Sequence, residues 1–209
     1  MDIKKALEEA KLLPIITLEN DEAIENVKTL IEESNIEIVE VAFRSNLAVK
    51  AIEEYSTIAG VIIGAGTVRT VKEAKQAVEA GAQFLVSPGY DSDVVKFAVS
   101  NDIPITPGVL TPTEIQKGIS EANLSIFKLF PAELIGGLSA VKALSGPFYD
   151  IQFLPTGGVN ENNFEDFLAN DHIIAVGGSF IMNDQVTKDE INEEVERINS
   201  LVKRAKKIK

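Results

Sequence analysis

Two side chains in this sequence are of types that do covalent chemistry and stand where ordinary packing would not put them. Lys128 lies in "SIFKLFPAE" (125–133), among Ile126, Phe127, Leu129 and Phe130. Such a run ought to be a buried strand, and an ammonium group there is expensive to desolvate. A buried lysine pairs with a carboxylate or sheds its proton, and a neutral lysine is a nucleophile. Glu40 lies in "IEIVEVAFRS" (36–45), an acid with apolar residues on both sides. Side chains alternate across a strand, so Ile126, Lys128 and Phe130 share one face, as do Ile38, Glu40, Ala42 and Arg44 in the other segment. Turned inward together, Lys128 and Glu40 make one of two things. One is an ion pair, which needs good geometry to offset its desolvation. The other is a working pair, in which the amine attacks a carbonyl and the carboxyl group moves protons. Glu37 falls on the outer parity and has no such role.

The elements that must position these groups follow a simple alternation. Short β-branched runs at 13–18, 36–43, 61–66, 82–88, 103–108, 125–130, 151–158 and 173–179 are separated by charged segments of helical character. Asn20-Asp21, Thr70 with Glu73, Asp91, and Thr111 with Glu114 mark helix starts as N-caps or capping boxes. Apolar strands alternating with helices predict parallel pairing under a helical cover. Eight such units predict an α/β fold of the (β/α)8 (TIM) barrel type, preceded by an amphipathic helix in "MDIKKALEEAKLLP". A doubly wound open sheet is the competing arrangement. No linker or change of composition divides the chain, so 1–209 is expected to be a single domain.

A barrel places its chemistry at the C-terminal ends of its strands. The unusual residues fall there: Arg44, "GAGT" with Thr67, "SPG" with Pro88, "PG" with Pro107, "PAE", "TGG" and "GGS". Gly157 and Gly158 after the seventh strand, with Gly178 and Ser179 after the eighth, would offer backbone N–H groups and a hydroxyl to a phosphate or another anion. Thr67 either meets a polar substrate or opens the next helix. Pro88 and Pro107 shape the wall. His172 precedes the last strand, at the opposite end, and carries no chemistry.

Twenty basic against thirty-two acidic side chains leave a net charge of −12, so nucleic acid is not an expected partner. The absence of cysteine removes disulfides, thiolate nucleophiles and cysteine-held metals, and one histidine rules out a zinc site of several imidazoles. No run approaches the roughly 20 apolar residues that cross a bilayer. The N-terminal segment lacks the long apolar core of a signal peptide. The expectation is a cytoplasmic protein with no membrane contact.

The segments "EVAFRS", "GAGTV", "GAQFLVSPG", "TPGVLTPTE", "FKLFPAE", "GPF", "PTGGV" and "VGGSF", in this order over nearly the whole chain, resemble the 2-keto-3-deoxy-6-phosphogluconate / 4-hydroxy-2-oxoglutarate aldolases. The resemblance implies a class I aldolase of a 2-keto acid, with Lys128 as the Schiff-base lysine and Glu40 as the general acid and base. It assigns Arg44, Thr67, Pro88 and Phe130 to the pyruvate portion of the substrate. Gly157, Gly158, Gly178 and Ser179 go to its phosphate. It also implies a homotrimer and no metal or other cofactor, the imine on Lys128 serving instead. Many relatives carry an arginine at the end of strand one, where this sequence has "PIITLEN" with Thr17 nearby. Two other functions use the same features: a sugar-phosphate isomerase or epimerase with Glu40 as base, and a non-catalytic scaffold that binds a phosphorylated ligand.

Overall fold

The computed structural model describes residues 1–208. Strands and α-helices alternate along the chain except at 105–109, where two short strands follow one another, and every strand pairing among the described residues is parallel. The strands are β1 (Leu12–Ile16), β2 (Ile38–Ala42), β3 (Ile62–Gly66), β4 (Phe84–Val86), β5 (Ile105–Thr106), β6 (Gly108–Val109), β7 (Ile126–Leu129), β8 (Gln152–Pro155) and β9 (Val176–Gly178). They form a six-stranded sheet in the order β5-β4-β3-β2-β1-β9 and a three-stranded sheet in the order β6-β7-β8.

Eight strands are expected and nine are present among the described residues, because the segment 103–108 is divided. Pro107 has no N–H to give to a ladder, and it separates β5, which pairs with β4, from β6, which pairs with β7. At the other junction, Ile173 bridges Phe153 of β8 in parallel, and the Ile174 N–H donates to the Phe153 carbonyl at 3.0 Å, just ahead of β9. The remaining strands are shorter than the apolar runs that announced them. The run at 151–158, for example, ends as strand at Pro155, where the glycines turn the chain.

The capping residues act as expected. Asn20 accepts from the Ala23 N–H, Thr70 from Glu73, and Asp91 from Asp93 and Val94, while Thr111 and Glu114 form a reciprocal capping box. These starts belong to α2 (Asp21–Glu33), α4 (Val71–Glu79), α5 (Ser92–Ser100) and α6 (Pro112–Ala122).

Strand alternation sorts the core into two clusters. Val39 and Val41 of β2, Phe127 and Leu129 of β7 and Phe153 of β8 pack in the large cluster with the buried faces of the helices. Leu13, Ile38, Phe84, Val86, Ile126, Leu154 and Ile174 form a smaller one with Leu7 and Ala10 of α1 (Ile3–Ala10). Ile38, Phe84 and Ile126 are the first residues of their strands, so this second cluster forms a layer at the strand starts, covered by α1.

Candidate active site

Two residues beyond Ile38 and Ile126 on the same faces stand Glu40 and Lys128, one layer above the apolar floor. Register fixes them: Glu40 pairs with Ile15 and Gly64, and Lys128 with Gly108 and Leu154. Lys128 is 6% exposed and Glu40 0%. Lys128 Nζ lies 3.3 Å from Glu40 Oε1. That is longer than the roughly 2.7–2.9 Å of a tight charge-assisted bond, and Glu40 Oε2, also buried, accepts from no protein group. The pair is close enough to exchange a proton yet keeps one carboxylate oxygen for something other than the lysine.

Two glycines inside β3 make room for this arrangement. A Cβ on Gly66 would sit 1.9 Å from Glu40 Oε1, and one on Gly64 would sit 2.2 Å from the ring of Phe84. A glycine inside a strand marks a close approach of this kind. Gly66 is the last residue of β3, as the strand-end reading of "GAG" has it, but the clearance it gives Glu40 was missed, because that contact comes from the neighbouring strand. Thr156 was missed as well. It lies two residues beyond Leu154 on the same face, is 2% exposed, and its Oγ1 has no protein partner. The parity that selects Lys128 would have selected it. Gly177 presents no Cβ to the Thr156 methyl, which lies 2.7 Å from where that atom would be.

The other candidates collect at the strand ends. Phe130, immediately past β7, is 36% exposed, with its ring centroid 5.6 Å from Lys128 Nζ. A Cβ on Gly157 would lie 3.2 Å from the same ring, so Lys128, Phe130 and Gly157 are contiguous. Gly157 and Gly158 adopt φ of +83° and +88°, the left-handed region where L side chains are strained. Their carbonyls are engaged within the protein: Gly157 accepts from the Glu133 N–H at 3.1 Å, and Gly158 from the side-chain amides of Asn160 and Asn163. Gly178 is backed by the Phe180 ring, 2.7 Å from its absent Cβ, with the Val159 carbonyl 3.6 Å away. The two glycine segments are therefore neighbours. Ser179 begins the 3-10 turn Ser179–Ile181 that follows.

Thr67, directly after β3, has φ +56°, a rare conformation for a β-branched residue. Such strain costs about 1–3 kcal/mol and concentrates at functional sites. Pro88 lies beyond β4, its carbonyl pressed into the space that a Cβ on Gly108 would need. Arg44 is exposed past the end of β2 and makes no ion pair among the described residues. No hydrogen bond or ion pair joins Arg44, Thr67 or Pro88 to Lys128 or Glu40. Thr17, just past β1, gives its N–H to Asp184 Oδ2 at 2.6 Å. His172 lies at the other end, its backbone carbonyl accepting from Phe153 N–H near the start of β8. Among the described residues no group of three or more histidine, cysteine, aspartate or glutamate side chains is arranged to hold a metal.

Residues 3–200 match the aldolase family described as KDPG and KHG aldolase. The chain belongs to the KDPG and KHG aldolase family. It is a carbon–carbon lyase by that membership. A 2-dehydro-3-deoxy-phosphogluconate aldolase of Treponema pallidum is 41% identical over 182 residues, 86% of each chain. The crystal structure of the 2-keto-3-deoxy-6-phosphogluconate aldolase of Zymomonas mobilis with 3-phosphoglycerate superposes with a TM-score of 0.88 at 34% identity, covering 100% of this chain and 96% of that one. A KDPG aldolase of Legionella pneumophila, with pyruvate captured as a covalent carbinolamine, gives a TM-score of 0.82 at 30% identity, covering 100% of this chain and 98% of that one.

Proposed function

We propose that this protein is a class I aldolase that reversibly cleaves 2-keto-3-deoxy-6-phosphogluconate to pyruvate and glyceraldehyde 3-phosphate, 4-hydroxy-2-oxoglutarate to pyruvate and glyoxylate, or both. The observation that carries this reading is the buried Lys128–Glu40 pair, with one carboxylate oxygen unclaimed and two glycine segments at its side.

In this reading Lys128 passes its proton to Glu40 and its free amine adds to the C2 ketone, giving a carbinolamine. Glu40 gives that proton to the departing C2 hydroxyl, and loss of water leaves a cationic iminium beside an ionised Glu40. Glu40 takes the proton of the C4 hydroxyl, the C3–C4 bond breaks, and its electron pair enters the C2–C3 bond, neutralising the nitrogen as an enamine. The aldehyde leaves. Glu40 returns the proton to C3, and water hydrolyses the iminium to pyruvate and free Lys128. Arginine could not replace the lysine, since it stays protonated. Thr67, Pro88, Phe130 and Arg44 would surround the pyruvate portion. Gly157, Gly158, Gly178 and Ser179 would take the phosphate through backbone N–H groups and a hydroxyl. The imine does the work of a cofactor.

The two sheets are read as one closed (β/α)8 barrel in a single domain. This is supported by the chain continuity across Pro107 on one side and by the Ile173–Phe153 bridge on the other. The working form is a cytoplasmic homotrimer.

The test is turnover of each substrate, with pyruvate release followed by a coupled reduction. Lys128→Met is expected to abolish release of pyruvate while its circular dichroism spectrum remains that of the folded protein. A folded variant that still turns over at a substantial rate would overturn the assignment.

A further inference from the structure

The residues that follow the two glycine segments are tied together by a single side chain that sequence and family arguments leave without a role. Arg197 lies in α9 (Ile191–Ala205), far in sequence from both. Its Nη1 pairs with Glu161 Oε1, three residues past Gly158, and donates to the Phe180 carbonyl at 3.0 Å. Its Nη2 donates to the Ile181 carbonyl at 3.2 Å and to Glu194 Oε1 at 2.7 Å, while Nε donates to Glu194 Oε2 at 2.7 Å. Glu194, only 8% exposed, also accepts from the Asn183 N–H at 2.7 Å. One guanidinium is thus gripped by the carboxylate of its own helix and turned so that its remaining donors reach both segments at once. Arginine suits this, because its donors form a rigid planar fork. A second arginine reinforces the contact: Arg204 donates to the Glu161 carbonyl at 3.3 Å and stands 4.8 Å over the Phe164 ring, which packs on Phe180. Phe180 is the ring that backs Gly178.

We infer that Arg197 is a positioning residue for the anion pocket, setting the spacing of the Gly157–Gly158 and Gly178–Ser179 segments and thereby the preference for a phosphorylated substrate. This rests on the reading of those segments as the phosphate site. Arg197 does not itself touch the substrate. It acts on the relative placement of two sets of backbone donors, and a displacement of about 1 Å in such donors costs catalysis up to the order of 100-fold. The lysine–glutamate pair is outside its reach, so the carbon–carbon chemistry should survive its loss.

The experiment compares kcat/KM for 2-keto-3-deoxy-6-phosphogluconate with that for the same sugar acid lacking phosphate, in the wild type, in Arg197→Lys and in Glu161→Gln. Glu161 is 43% exposed in its side chain, so its variant keeps the core and removes only the charge from the link to the first segment. The expected result is that the wild type prefers the phosphorylated compound. The variants should lose about tenfold of that preference, mostly through KM, with the unphosphorylated reaction unchanged within about twofold. Equal losses on both substrates in Glu161→Gln, or a preference untouched in both variants, would overturn the assignment of Arg197 alone. A wild type that turns over both compounds with equal kcat/KM would instead overturn the phosphate reading of the glycine segments, and the inference with it.

Discussion

A carboxylate oxygen in a fully buried strand with no protein donor is costly, by about 1–3 kcal/mol or more for a charged group. Glu40 Oε2 is such an oxygen, and the chain spends a further position on keeping Glu40 where it is: Gly66 gives up its side chain to admit the carboxylate. A fold built for stability alone would replace the pair with apolar residues of similar volume. Gly66→Ala is therefore expected to displace Glu40 and to lower kcat/KM by the order of 100-fold. Gly146→Ala, whose new methyl meets only the Ala143 carbonyl at 3.7 Å, serves as the control and should leave the rate unchanged. Equal rates for the two variants in the coupled assay would show that Glu40 tolerates the displacement and is not placed for proton transfer.

At the scale of elements, the helix starts carry charge in a way that acid can test. Burial alone would raise the Glu73 carboxyl, but hydrogen bonds from the Arg69 guanidinium and the Arg69 N–H outweigh it and hold the group below the ordinary carboxylate range. A depressed folded value means that the stabilisation is complete above the unfolded value, near 4.5, and is lost as pH falls through the folded one. Glu73→Gln should thus melt below the wild type at pH 7, and the gap in Tm should close on acidification below about pH 4.5. A gap independent of pH would remove charge from the explanation. The caps, the strand starts and the inward parity of Lys128 and Glu40 were all legible in the sequence, because each depends on residues within a few positions. The division at Pro107 was legible in principle, since proline cannot donate, but a continuous apolar run concealed it. Thr156 obeyed the same alternation as Lys128 and was passed over in favour of the glycines beside it. The role of Arg197 was not legible: beyond Glu194 of its own helix, its partners Glu161 and Phe180 lie 36 and 17 residues away, and only the folded chain brings them together.

For the whole molecule, the net charge of −12 repels anionic substrates, so the proposed reading requires capture by local groups, the backbone donors of the glycine segments and Arg44, rather than by the overall field. Two large apolar side chains, Leu134 and Tyr149, stand 84% and 79% exposed. Burial against other copies would take them out of water. The trimer reading predicts a solution mass three times the 22.6 kDa of one chain by light scattering. A single-chain mass at assay concentration, with full activity, would contradict it.

All of this converges on the amine of Lys128, and one measurement addresses it directly. The protein is incubated with pyruvate, reduced with borohydride, digested and mapped by mass spectrometry. The expected result is a reduced pyruvate adduct on Lys128 and on no other lysine. Unmodified Lys128, or labelling scattered over the exposed lysines, would contradict the imine mechanism and leave the buried pair a structural one.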